Sequence, residues 1–277
     1  MTGSGAKPAW AGPAYARVGF RMTETPAVTI SPDRFDAVIF DLDGVVTDTA
    51  RVHLAAWRRL FDGYLAARDP SSAPFTDDDY LRYVDGRARI DGVEAFLESR
   101  GIRLDRGVST DPPEAQTSWG MANRKNGYYL AALGVEGVDV FASSVRVVEA
   151  VRAAGLGTAV VTASKNRAEV LEIAGLSDLF DVHVDGVDAE ALGLPGKPDP
   201  ATFLEAASRL GVTAARSVVV EDAIAGVEAG RNGGFGLVIG IDRRLQAHEL
   251  REHGADAVVQ DLALVEITPH GERGGRE

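Results

Sequence analysis

The sequence predicts a three-layer α/β fold, a mostly parallel sheet between two layers of helices, carrying a small all-helical cap domain. Three observations predict it. Short apolar runs are each followed by a turn and a helical stretch, which is the grammar of βαβ units. The first run, Ala37 to Phe40, is continuously apolar, as a strand buried on both faces is. About a hundred residues then separate it from the second run, far more than one crossover helix needs.

Residues 1–32 mix Gly, Ser, Pro and Ala without a sustained period and read as a flexible N-terminal arm. After the first strand, helical patterns cover Arg51 to Tyr64, Asp77 to Tyr83, Asp91 to Ser99 and Ser118 to Leu133. Residues 50–138 are therefore read as the helical cap domain. Its joints, near Thr47–Thr49 and Gly137–Phe141, should emerge beside one another and let it move as a lid; the alternative is a fixed second layer over the sheet. The core comprises 33–49 and 139–265. Its second part predicts strands at Thr158 to Val161, Val182 to Val184, Ser217 to Val220, Leu237 to Ile239 and Ala257 to Val259. Helices are predicted at Val145 to Ala154, Arg167 to Ile173, Ala201 to Leu210 and Ile224 to Asn232, ending near Gly155, Gly175, Gly211 and Gly233. Residues 266–277 read as a flexible tail.

Composition excludes several classes of function. The chain has 277 residues, 29 basic and 41 acidic, for a net charge of −12. A negative surface disfavours nucleic acid and anionic membranes as partners. There is no Cys, which excludes disulfides, thiolate metal sites and a Cys nucleophile. No apolar run approaches a membrane span, and no signal-peptide pattern opens the chain, so a cytoplasmic location is expected. Lysine is rare: Lys7, Lys125, Lys165 and Lys197 stand among arginines, so each interior lysine is a candidate for a specific task.

The polar residues gather at strand ends, where open parallel sheets place their sites. The first strand runs into Asp41-Leu42-Asp43-Gly44, and Ser217 to Val220 runs into Glu221-Asp222. Each pair alone can serve as turn former or cap. Together they form a cluster that repels itself and calls for a cation or shared protons. Thr162-Ala163-Ser164-Lys165-Asn166 offers hydroxyls and amides to an anion, or caps the following helix. Lys197, flanked by Pro198, can neutralise phosphate or pair with Asp41. This set suits phosphoryl transfer, in which a carboxylate attacks phosphorus. Neither a G-x-G-x-x-G turn nor a Walker A loop is present.

On Asp41-Leu42-Asp43-Gly44-Val45-Val46-Thr47-Asp48, Thr162, Lys197 and Glu221-Asp222, in that order, the chain resembles the haloacid dehalogenase-like phosphatase and phosphomutase superfamily over residues 35 to 260. The resemblance implies a three-layer Rossmann-like core. It implies Asp41 as nucleophile and phosphoprotein intermediate, Asp43 as general acid/base, and Mg2+ held by Asp41, Asp43 (main chain), Glu221 and Asp222. Thr162, Ala163 and Lys197 would bind the transferring phosphate.

Further residues resemble the β-phosphoglucomutase branch: His53 and Trp57 after Asp48-Thr49-Ala50, Gly86-Arg87-Ala88-Arg89, Arg124-Lys125-Asn126, and Ser164-Lys165-Asn166. These imply substrate contacts by His53, Trp57, Arg89, Lys125, Ser164 and Asn166, with Arg89 on the second phosphate and Arg87 its competitor. Bottom-up, His53 and Trp57 are i,i+4 neighbours on one helix face, and Lys125 could equally be helix surface. The implied reaction interconverts β-D-glucose 1-phosphate and D-glucose 6-phosphate, with glucose 1,6-bisphosphate as intermediate or primer and a monomeric enzyme. The alternatives are a phosphatase for a sugar phosphate or other small phosphoester, and a non-catalytic phosphate-binding protein. The Asp69 to Phe75 and Gly101 to Glu114 segments lengthen the cap, so phosphate handling is firmer than the identity of the sugar.

Overall fold

The computed structural model describes residues 28–269 of the chain. It opens with β1 (Val28–Ile30) and the fully buried β2 (Ala37–Asp41). The insert follows as α1 (Ala50–Arg68), α2 (Asp77–Asp79) continuing into a π-helical turn over Tyr80–Val84, α3 (Arg89–Ser99) and α4 (Ser118–Glu136). The chain returns through α5 (Ala142–Ala153) to β3 (Gly157–Val161), α6 (Arg167–Ala174), β4 (Val182–Val184) and α7 (Gly186–Leu192). It then runs through α8 (Ala201–Leu210), β5 (Ser217–Glu221), α9 (Ile224–Asn232), β6 (Leu237–Ile241), α10 (Ala247–Glu252), β7 (Ala257–Val259) and β8 (Val265–Ile267).

Six strands form one parallel sheet in the order β4-β3-β2-β5-β6-β7. Strand order reverses at β2, and at such a point a crevice opens beyond the carboxyl ends. Register sets Asp41 beside Val161 and Phe40 beside Val220, so the loops after β2, β3 and β5 leave the sheet at one level. Successive strand residues feed opposite faces. Val38, Phe40, Val218 and Val220 pack with Val147, Val148 and Val151 of α5 and Leu171 of α6. Ile39, Val161, Val219 and Val238 pack with Phe203 of α8, Val227 of α9 and Leu250 of α10. Burial on both sides is why these strands carry no polar alternation. No helix among the described residues is long and apolar enough to cross a membrane.

One detail differs from the sequence reading. β1 and β8, in stretches expected as arm and tail, pair in parallel (Val28 with Val265, Ile30 with Ile267). Val28, Ile30 and Val265 are buried in the layer formed with α5, so residues 28–30 and 265–267 belong to the packed core. Three-residue strands are too short to show a period. Residues 1–27 and 270–277 lie outside the described residues. α9 ends at Asn232 with Gly233 as its C-cap, as the sequence reading has it, and Gly234 follows at φ +68°.

The insert has an apolar centre of its own. Phe61 packs on Phe96 with ring centroids 4.1 Å apart and on Phe75 at 5.1 Å, among Leu60, Val93, Leu97 and Met121. Its two joints do run side by side. Asp48 N donates to Asp139 O at 2.9 Å, and Phe141 N to Val46 O at 3.0 Å. Arg51 spans them, bonded to Glu136 at 2.6 Å and Asp139 at 2.8 Å.

Truncating the centre of this cluster should loosen the insert before the sheet. Phe61→Ala is expected to destabilise the insert by about 3–5 kcal/mol, read as faster native-state hydrogen exchange in α1, α3 and α4 with β2 and β5 unchanged. Exchange that rises equally in the sheet strands would show that insert and core unfold as one unit.

Candidate active site

The catalytic geometry begins with charge. Asp41 closes β2 and Glu221 closes β5, so adjacent parallel strands both end in a buried carboxylate. Lys197 Nζ lies between them, donating to Asp41 Oδ1 at 2.6 Å and Glu221 Oε1 at 2.5 Å. The lysine is 3% exposed and its peptide bond to Pro198 is cis. Burial works against its charge, but Asp41 and Glu221 outweigh burial and hold the ammonium above its ordinary range. The sequence offered Lys197 two roles; pairing with Asp41 is the one this geometry displays.

Glu221 behaves differently from the other expected metal ligands. Its second oxygen, Oε2, accepts from Ala223 N at 2.7 Å, so both oxygens are engaged by the protein. A Cβ at Gly226 would overlap this carboxylate, which explains the glycine there. Glu221 therefore anchors Lys197, while Asp41, Asp43 and Asp222 line the cavity. Gly44, at φ +98°, turns the first acidic loop directly against the second: a Cβ on it would overlap the Asp222 carboxylate.

The donor set suits a hard divalent cation. Burial raises the Asp222 carboxyl well above its ordinary range, and the charges of Asp85, Glu221 and Asp41 add to that. Burial raises Asp41 too; Lys197 opposes the shift, while Glu221 and Asp43 reinforce it. Lys197 pairs with Asp41 and Glu221, and Asp222 beside them adds a further carboxylate, so the site offers oxygen donors of the kind magnesium prefers. Among the described residues no three acidic or histidine side chains form a ready-made cage. Magnesium ordinarily keeps waters and substrate oxygens in its shell, so an incomplete protein shell fits it.

Asp43 sits two residues on and faces a different set of partners. It accepts from Thr49 Oγ1 at 2.5 Å and Thr162 Oγ1 at 2.9 Å, and its Oδ1 lies 3.3 Å from His53 Nε2. Burial would raise its carboxyl, but His53, Thr49 and Thr162 more than offset that and hold it below the usual carboxylate range. On its far side, His53 Nδ1 meets Lys125 Nζ at 2.5 Å. Burial, then the Lys125 charge, lower the imidazole's affinity for a second proton. A neutral ring that accepts from Lys125 at Nδ1 carries its proton on Nε2, an atom 3.3 Å from Asp43 Oδ1 that has no hydrogen-bond partner in this arrangement. Lys125 is 3% exposed and stands 4.9 Å from the ring centroids of both Trp57 and Tyr129. Thus α1 and α4 of the insert deliver an ordered chain, Lys125 to His53 to Asp43, into the core.

The insert brings cationic groups of its own to the same cavity, whose volume is about 350 Å³. Arg87 and Arg89 both line it, which leaves their competition to detail. Arg89 begins α3, and its buried Nε has no hydrogen-bond partner. Desolvation lowers its guanidinium to about 10, with Glu190 opposing. The Arg89 guanidinium is thus partly buried with its Nε left without a protein partner, in a cavity that Arg87 lines too. Asn166 Nδ2 donates to Asn126 Oδ1 at 2.9 Å, joining core to cap. Ser164 N and Asn166 N already donate to the hydroxyls of Thr162 and Ser164, so the loop after β3 holds its own shape; Ala163 lines the cavity beside them.

Several participants were missed from the sequence. Tyr129 stacks on His53 with ring centroids 4.0 Å apart, and its position four residues after Lys125 was the available signal. Thr49 was read as a joint and also binds Asp43. Trp119 and Asp85 line the cavity without any local pattern to mark them.

With the geometry in place, comparisons with known proteins converge. A model of the haloacid dehalogenase-like hydrolase family matches residues 35–234. A β-phosphoglucomutase of Mycobacterium bovis is 46% identical over 262 residues, covering 92% of this chain and 98% of that protein. The phosphorylated carbohydrates phosphatase of Thermotoga maritima is 28% identical over 235 residues, 84% of this chain and 97% of that one. The crystal structure of β-phosphoglucomutase from Clostridium difficile is similar with a TM-score of 0.66 at 27% identity, covering 82% of this chain and 92% of its own.

Removing the buried ammonium tests the charge argument. Lys197→Met should leave Asp41 and Glu221 buried without a counter-charge and cost about 3–5 kcal/mol of stability at neutral pH, measured by urea unfolding. A variant within about 1 kcal/mol of the parent would show that the pair does not hold these strand ends together.

Proposed function

The chain belongs to the haloacid dehalogenase-like hydrolase family, and from that premise we propose that it is a magnesium-dependent phosphomutase interconverting β-D-glucose 1-phosphate and D-glucose 6-phosphate. The observation that carries the reading is one cavity lined by a buried cationic group from the core and a partly buried one from the cap. Lys197 lies beside Asp41 on the core side, and Arg89 lies on the cap side. A hydrolase acting on a monophosphate needs only the first. An enzyme whose intermediate carries two phosphates needs both.

In the proposed cycle Asp41 begins as the acyl phosphate. The 6-hydroxyl of β-glucose 1-phosphate attacks phosphorus, the bond to the Asp41 oxygen breaks, and the hydroxyl proton passes to Asp43. The resulting glucose 1,6-bisphosphate turns over between Lys197 and Arg89. Asp41 then attacks the 1-phosphate, and Asp43 returns its proton to the departing O1, releasing glucose 6-phosphate and restoring phospho-Asp41. Thr162, which now donates to Asp43, would turn to a phosphoryl oxygen. His53, positioned by Lys125, keeps Asp43 oriented, and Ser164 and Asn166 assist Arg89. Magnesium, held by the side chains of Asp41 and Asp222 and the main-chain carbonyl of Asp43, would supply charge neutralisation for the transferring group. Water must be excluded, because it is the competing acceptor.

The phosphatase reading shares every core residue and differs only in the acceptor, so products discriminate. Purified protein given magnesium, β-glucose 1-phosphate and catalytic glucose 1,6-bisphosphate should yield mainly glucose 6-phosphate, and chelating the metal should stop the reaction until magnesium is restored. Predominant inorganic phosphate would overturn the mutase in favour of the phosphatase. Arg89→Ala should slow sugar-phosphate conversion by roughly 10- to 100-fold, the worth of a charge-assisted hydrogen bond, with a much smaller effect on cleavage of an aryl phosphate. Equal losses on both substrates would contradict a second-phosphate role.

A further inference from the structure

The loop after β6 holds both acidic loops at once. Arg243 Nε donates to Gly44 O at 2.9 Å, and Gln246 Nε2 donates to Asp222 O at 3.0 Å. The loop is itself braced, with Gln246 N donating to Asp242 Oδ1 at 2.8 Å. Between these anchors Leu245 takes a left-handed conformation, φ +60°, with its side chain 92% exposed. That strain persists only where the surroundings over-determine the backbone. Arg244 occupies the same stretch, half-buried, and none of the catalytic steps uses it.

Arg244 faces the cap. Its guanidinium carbon lies 4.6 Å from the ring centroid of Tyr80, a buried residue that opens the π-helical turn. Asp85 N donates to Tyr80 O at 3.0 Å, which holds the buried Asp85 carboxyl at the end of the same turn, and the Arg244 charge acts on both Asp85 and Asp222. Gly86 comes next, left-handed at φ +70°, and a Cβ on it would stand 2.8 Å from the Ala223 Cβ. The cap therefore rests at this point on the residue that follows Asp222. Three positions further on is Arg89. A single element thus touches the nucleophile loop, the second acidic loop and the part of the cap that carries the second-phosphate arginine.

We propose that Arg244 is a positioning residue that latches the cap shut, its cation seated on the ring of Tyr80. Because its own loop grips Gly44 and Asp222, closing the cap and aligning the two acidic loops are one event. When the cap swings out, Tyr80 and Asp85 leave with it, and Arg244 faces Asp222 alone. The catalytic consequence, exclusion of water from phospho-Asp41, rests on the phosphomutase reading; the latch itself does not.

The test uses the full chain and two readouts. Without ligand, Arg244→Gln should speed hydrogen exchange of amides 80–90 by roughly tenfold, the worth of a partly desolvated cation–π contact, with β2 and β5 unchanged. Arg244→Lys should restore part of the protection, and Tyr80→Leu, which removes the ring from the cap side, should reproduce the loss. The double variant should add little to either single one. In turnover of β-glucose 1-phosphate, Arg244→Gln should raise the ratio of inorganic phosphate to glucose 6-phosphate by a similar factor. Unchanged exchange over 80–90 overturns the latch whatever the products are. Faster exchange spread through β2 and β5 in both Arg244→Gln and Tyr80→Leu also overturns it, in favour of general packing. If the parent makes only inorganic phosphate, the mutase reading fails, while local acceleration over 80–90 still supports the latch.

Discussion

One buried ammonium group holds together the ends of two strands that would otherwise repel. Lys197 bonds Asp41 on β2 and Glu221 on β5, neighbours at the centre of the parallel sheet. Burial alone makes each carboxylate costly, and pairing with a hydrogen-bonded cation is the usual remedy. Other features follow from that pairing. Glu221 is drawn inward, which requires Gly226 to lack a side chain, and Asp222 is left facing the cavity against a Gly44 that must also lack one. The site is thus a charge arrangement first and a pocket second. It holds Asp41 against a buried cation and sets Asp43 and Asp222 along the cavity, which is the arrangement the proposed cycle uses.

The insert completes this arrangement from outside. Its joints lie against each other, bonded between Asp48 and Asp139 and bridged by Arg51, so the chain passes between cap and core at one narrow place. Closed, it brings three things the core lacks: His53 with Lys125 behind it, the guanidinium of Arg89, and Asn126 against Asn166. In the proposed cycle, acid/base chemistry at Asp43, recognition of a second phosphate and the exclusion of water would all depend on these cap residues being in place.

Much of the core was legible because its physics is local. Strands buried on both faces read as unbroken apolar runs; Val182–Val184 and Ala257–Val259 match the reading residue for residue, and the helices Ala201–Leu210 and Ile224–Asn232 do the same. Acids at strand ends were visible because a parallel sheet places all its sites at one edge. What escaped is non-local or very short. β1 and β8 pair across nearly the whole chain with three residues each. α7, of seven residues, was overlooked although Asp185 and Asp188 form a capping box in front of it. The turn of Glu221 toward Lys197, the contact of His53 with Lys125 and the bond of Thr162 to Asp43 join residues far apart in the chain. Strand alternation names the residues at such an edge but not the direction each carboxylate finally takes.

The account stands on Asp41 as the atom that carries the phosphoryl group, and that can be observed directly. The protein would be mixed with magnesium and glucose 1,6-bisphosphate, quenched in acid within milliseconds, digested and mapped by mass spectrometry. The account predicts one acyl phosphate, on Asp41, absent from Asp41→Asn. A phosphoryl group found on another residue, or one that persists in Asp41→Asn, would contradict it.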